Sequence, residues 1–114
     1  MAQLANSILF SIDSALQVKS GLNVETIVAH KGLDYASSPV QIITNGTGAP
    51  KEVRLPGFSA GVSVKSGVQY MIRCAGADPL TIQKDGGATV ATLTTGQLGI
   101  FMADGTTWHL VFQG

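Results

Sequence analysis

Period two governs the second half of this sequence. From Val68 to Cys74 the residues Val68, Tyr70, Ile72 and Cys74 alternate with Gln69, Met71 and Arg73, the pattern of a strand with one buried face. Leu80 and Ile82 alternate with Thr81 and Gln83, and Asp85-Gly86-Gly87 then supplies a tight turn, because Gly takes positive φ at no cost and Asp tolerates it. The β-branched run from Ala88 to Thr94 suits a pleated surface. Thr95-Gly96 turns the chain into Gln97–Ala103, and Asp104-Gly105 turns it again into Thr106–Phe112. Turn signals thus recur about every ten residues, which predicts a meander within an antiparallel sandwich or barrel.

The first half is less regular. Leu16 and Val18, Val24 to His30 and Val40 to Ile43 read as short strands, the last ending at Asn45-Gly46-Thr47-Gly48. Val53 and Leu55 point inward on Lys51–Leu55, which Pro56-Gly57 closes. The glycine-rich stretch from Gly57 to Gly67 reads as a loop or one short helical turn. No long amphipathic helix occurs. The predicted fold is therefore all-β, an antiparallel β-sandwich or barrel of jelly-roll type. It comprises one domain over residues 15–114, preceded by an extended N-terminal arm over residues 1–14. On the strands, Trp108, Leu110 and Phe112 form a core face, which places Met71, Phe101 and Val111 opposite the inward sets.

Charge narrows the function. Only 12% of the 114 residues are charged, seven basic and seven acidic, against about 25% in an ordinary soluble domain. A net charge of zero leaves no electrostatic footprint for nucleic acid or an anionic membrane. No apolar run reaches membrane-span length, and the first 15 residues lack the basic start of a secretory signal. A single cysteine forms no internal disulfide. So low a charge is unusual for an isolated domain and implies that other protein covers much of the surface. Ile8, Leu9 and Phe10 in the uncharged arm need such a partner surface.

Candidate chemistry is thin. Gly57-Phe58-Ser59-Ala60-Gly61 matches the G-x-S-x-G elbow, and Asp104 and His109 follow in hydrolase order. The elbow requires a strand before the serine and a helix behind it on a parallel sheet with crossover helices, and none of those helices is predicted. His30 and His109 fall on separate strands with no carboxylate cluster near either, so no metal site is expected. Cys74 lies on an inward face, as a buried structural thiol does. Asn45-Gly46-Thr47 is formally a glycosylation sequon but reads as a turn. Trp108 could stack on a sugar, yet its alternation with Leu110 and Phe112 puts it in the core. No phosphate-binding glycine motif occurs, and no cofactor is expected. The chain reads as a non-catalytic protein.

The run Leu80-Thr81-Ile82-Gln83-Lys84-Asp85-Gly86-Gly87-Ala88-Thr89-Val90-Ala91-Thr92-Leu93, then Gly96, then Asp104-Gly105-Thr106-Thr107-Trp108 resembles small β-domains of tailed-bacteriophage virions. Leu55-Pro56 and the Val68–Cys74 strand fit the same layout, so the resemblance covers residues 51–114. It implies a virion location and one of two roles. A head decoration, or cement, protein is a short product, usually trimeric, that clamps neighbouring major capsid subunits. A tail-fibre or baseplate module binds receptor or glycan, and there Trp108 and the loop tips Asp78, Asp85 and Asp104 would be exposed. Read as a complete small product from Met1 to Gly114, the chain fits cement better. The surfaces expected to meet sister subunits and capsid are the arm at Ile8, Leu9 and Phe10 and the apolar residues Met71, Phe101 and Val111.

Overall fold

The computed structural model describes residues 21–34, 37–57 and 66–114. The arm, with Ile8, Leu9 and Phe10, lies outside them. Among the described residues the fold is all-β. The strands are β1 (Leu22–Ile27), β2 (Lys31–Gly32), β3 (Val40–Asn45), β4 (Lys51–Arg54), β5 (Gln69–Cys74), β6 (Leu80–Gln83), β7 (Thr89–Leu93), β8 (Leu98–Ala103) and β9 (Trp108–Gln113). They form a five-stranded sheet, β1-β3-β5-β8-β9, and a four-stranded sheet, β2-β4-β6-β7.

The predicted antiparallel meander is corrected. Both sheets are mixed: β1, β3 and β5 run parallel in one, β2, β4 and β6 parallel in the other, and only β6–β7, β5–β8 and β8–β9 are antiparallel. The chain alternates between the sheets, so each parallel neighbour is reached through a strand of the opposite sheet. Period-two alternation identifies a buried face but not the direction of the neighbour, and this crossover needs no helix. Among the described residues neither sheet closes into a barrel, and each keeps two edge strands.

One apolar core is shared by both sheets. Ile43, Ile72, Cys74 and Phe101 come from the first, and Val53, Leu80, Ile82 and Leu93 from the second, all fully buried. The inward settings of Tyr70, Ile72 and Cys74, of Leu80 and Ile82, and of Val53 and Leu55 agree with their alternation. Trp108 is buried as expected: its Nε1 donates to Pro56 O at 2.9 Å, and its ring lies 5.7 Å from that of Tyr70 at a tilt of 56°. The Tyr70 hydroxyl donates to Asp34 O at 2.8 Å. These two aromatics fasten β5 and β9 to the segments that follow β2 and β4.

Two placements on β8 and β9 depart from the alternation. Phe101 is not an outward residue but is completely buried. β8 is apolar at both parities, and packing selects the face. The ring of Phe101 lies over Gly99, where a Cβ would come within 2.8 Å of it. Small Gly99 and Ala103 leave room for one large ring, whereas Leu98, Ile100 and Met102 would crowd the same space. On β9, Phe101 pairs with Leu110 while Ile100 pairs with Phe112, so Val111 is an unopposed bulge residue. The bulge breaks the period and moves Phe112 to the outer face. Trp108, Leu110 and Phe112 therefore do not share one side.

The coils are stacked through their turns. Asn45, fully buried, donates from Nδ2 to Ala49 O and Pro79 O, both at 2.9 Å, while its Oδ1 accepts from Thr47 N and Thr47 Oγ1. Its backbone carbonyl accepts from Asp78 N, and Gly48 N donates to Asp78 Oδ2. Gly76 sits so close that a Cβ there would lie 2.4 Å from Asn45 O. In the next layer Thr95 Oγ1 donates to Gly76 O at 2.8 Å. The Asn45 amide is thus consumed by the fold, which accounts for the sequon-like triplet as a structural turn. Replacing Asn45 with Ala removes one donor each from the carbonyls of Ala49 and Pro79, leaves them only the longer bonds from Thr47 Oγ1 and Lys51 N, and empties the space of a fully buried amide. Chemical denaturation is expected to show a loss of about 2–4 kcal/mol, with Thr47→Ala costing less than half as much.

Candidate interaction surface

The surface of interest is the outer face of the five-stranded sheet, and the strand register builds it. Residues directly opposite on neighbouring strands share a face. Leu22 pairs with Val40, Val40 with Met71, Met71 with Ile100 and Ile100 with Phe112. One unbroken apolar row therefore crosses all five strands. The adjacent row runs Val24, Ile42, Arg73 and Leu98, and Arg73 is its one charged member. Met102 lies beside Ile100 along β8. Leu22, Val24 and Phe112 are 55%, 63% and 49% exposed, while the apolar residues between them are half-buried and Arg73 is exposed.

The same strands carry polar side chains inward. On β1, Asn23 and Glu25 face inward; on β3, Gln41 and Asn45 are buried while Val40 and Ile42 face out. Asn23 Nδ2 donates to Gln41 Oε1 and to Glu25 Oε1, both at 2.7 Å, and Gln41 Nε2 donates to Ser38 O at 2.7 Å. Lys31 Nζ lies 2.7 Å from Glu25 Oε1, and with Asn23 it holds the Glu25 carboxyl below its ordinary value. Ser38 Oγ donates to Gly21 O. A solvated strand normally keeps apolar residues in and polar residues out. On β1 and β3 that order is inverted at Leu22–Glu25 and at Val40–Gln41, while Ile27 and Ile43 keep it.

The remaining chemistry is peripheral. His109 Nε2 lies 2.7 Å from Asp104 Oδ2 at the β8–β9 turn. Asp104 Oδ1 accepts from Thr106 N, Thr106 Oγ1 and Thr107 N, and Lys84 Nζ donates to Thr107 Oγ1. The two residues that hydrolase order singled out thus do touch, as a turn-stabilising pair on the surface; Ser59 lies outside the described residues. His30 lines a shallow groove with Lys31, Gly32, Glu52 and Arg54, where its Nδ1 accepts from Glu52 N at 2.9 Å. Among the described residues no three His, Cys, Asp or Glu side chains converge as metal ligands. The buried Cys74 thiol donates to Asp78 O at 3.3 Å, and burial pushes its pKa up, away from reactivity.

Of the apolar residues singled out from sequence, Met71 stands in the middle of the outer row, Val111 is 57% exposed at the β9 bulge, and Phe101 belongs to the core. Leu22, Val24, Val40, Ile42, Ile100 and Phe112 escaped sequence reasoning because a row exists only once register is known. The apolar character of both parities on β8 is the one local signal of it.

No family model matches the sequence, and no curated protein matches it. Among solved structures the chain is similar to one from a chaperone–substrate complex, at 15% identity over 82% of this chain with a TM-score of 0.49; it spans 18% of that chain. A likeness of that degree carries no inference about partners.

The Asp104 carboxyl is held well below the usual carboxylate range, first by His109 and then by the Thr106 and Thr107 groups. Because its folded value is depressed, its contribution is complete above the ordinary carboxylate pKa and disappears as pH falls through the folded value. Carboxyl-detected NMR titration is expected to show this midpoint. His109→Ala should raise it, while the Thr106 and Thr107 N–H groups keep it below the ordinary value.

Proposed function

We propose that this chain is a non-catalytic assembly protein that binds other protein through the outer face of its five-stranded sheet. Its role on this reading is that of a trimeric head decoration protein, clamping major capsid subunits on a tailed-phage virion. The apolar row Leu22–Val40–Met71–Ile100–Phe112 carries the assembly part. The phage-like turn and strand pattern of residues 51–114 supports the virion part. A cement protein needs no cleft and no reacting group. It needs a face repeated by symmetry, so that several modest contacts act together. The low charge of the chain is consistent with a surface divided between sister copies and a capsid floor. The alternative tail-module reading loses its natural stacking ring, because Trp108 is buried.

Light scattering on the purified chain is expected to give a trimer, and the trimer to bind undecorated heads. Met71→Glu puts a charge in the middle of the row and should reduce head binding or trimer formation at least about tenfold. Its circular dichroism should remain that of the parent. A monomer that ignores heads would overturn the proposal.

A further inference from the structure

Among the described residues the sheets have four edge strands, and three of them carry clear protection. β9 has the Val111 bulge. β2 is only two residues long. The Thr92 carbonyl of β7 accepts from Gln113 Nε2 at 2.7 Å. β1 has the weakest protection, a single inward charge, Glu25, that is already paired with Lys31. Over its six residues it contains no Pro, Lys or Arg, and its pairing with β3 runs without a break. Among the described residues no strand lies on its far side. Leu22 and Val24 project from it, and Val28, just beyond its end, is 82% exposed. A six-residue edge with regular pairing and an apolar outer side is a template for one further strand.

The chain contains a segment that fits. No residue from 2 to 12 is charged, and Ser7-Ile8-Leu9-Phe10-Ser11-Ile12 equals β1 in length. At period two, Ile8, Phe10 and Ile12 fall on one face, with Ser7, Leu9 and Ser11 on the other. Laid beside β1, the first set prolongs the apolar rows that begin at Leu22 and Val24, and the serine-bearing set lies alongside Asn23 and Glu25. Area argues the same way. Five strands of six residues present about 500 Å², short of the roughly 800 Å² per partner in a standard interface. An added strand supplies area and backbone hydrogen bonds together.

We propose that residues 7–12 of one copy add to the β1 edge of a second copy, joining subunits by exchanged arms. This rests on the homo-oligomeric reading above. Pairing within one chain would require residues 13–21 to act as a nine-residue hairpin loop, against the usual two to five. Extended, the same nine residues reach about 30 Å, far enough to leave one small domain for the next. Arm and edge are different surfaces, so the contact is heterologous and closes into a ring when the rotation per copy allows.

The test uses the full chain with p-benzoylphenylalanine in place of Phe10, mixed and re-equilibrated with ¹⁵N-labelled wild-type chain before illumination. Mass spectrometry is expected to find crosslinks from position 10 to ¹⁵N-labelled peptides containing residues 22–27. Crosslinks confined to one chain, or to another surface, would overturn the arm exchange. Deletion of residues 2–12 and, separately, Val24→Lys should each weaken self-association about 30-fold or more with the β-sheet spectrum retained. A trimer that survives both changes defeats the arm exchange alone. A wild-type chain that is monomeric at micromolar concentration defeats the assembly reading beneath it.

Discussion

The buried side chain of Asn45 holds this architecture in register. A stack of parallel strands has no hairpin to set one coil against the next, so the turns must do it. Asn45 spends both amide protons on carbonyls in two different turns, Ala49 and Pro79, and both oxygen lone pairs on Thr47. Its backbone takes the close approach of Gly76. A buried amide with every site used specifies geometry far more sharply than an apolar contact, because a slip of one residue leaves several polar groups unpaired at once. With those turns aligned, β3 and β5 pair in the register that lines up Val40 with Met71 and Ile42 with Arg73.

The outer face follows from that register. Val40 faces solvent because Gln41 and Asn45 are held inside by their hydrogen bonds, and Leu22 and Val24 face solvent because Asn23 and Glu25 join the same polar network. Satisfied polar groups inside can be as favourable as apolar ones, provided every partner is present. The apolar side chains displaced outward then form a continuous surface rather than scattered exceptions. Met71, Ile100 and Phe112 complete it on strands whose inward sides are filled by Ile72, Phe101 and Trp108.

What the sequence made legible was local. The alternation of Tyr70, Ile72 and Cys74 and of Leu80 and Ile82 reads directly as inward faces, and Gly86, Gly87, Gly96 and Gly105 each take the positive φ their turns imply. Strand direction was not legible, since Val40–Asn45 shows the same pattern whether its neighbour runs with or against it. The face of Phe101 depended on the volumes of Gly99 and Ala103, and that of Phe112 on a single bulge residue. Both are questions of packing between strands, beyond the reach of periodicity within one. The outer row lay one step further off, needing four pairings to be known together.

The alternation between sheets also gives the molecule a polarity. At one end the parallel succession stops at antiparallel β7 in one sheet and at antiparallel β8 in the other, beyond which β9 returns to the direction of β5 but carries the Val111 bulge. At the other end, β1 repeats the geometry of β3 and offers it outward again. The two ends of the stack are therefore unlike, with the regular edge at β1 and the bulged one at β9. A contact that joins unlike ends has a direction, and it gives a finite body only where the rotation from copy to copy closes a ring.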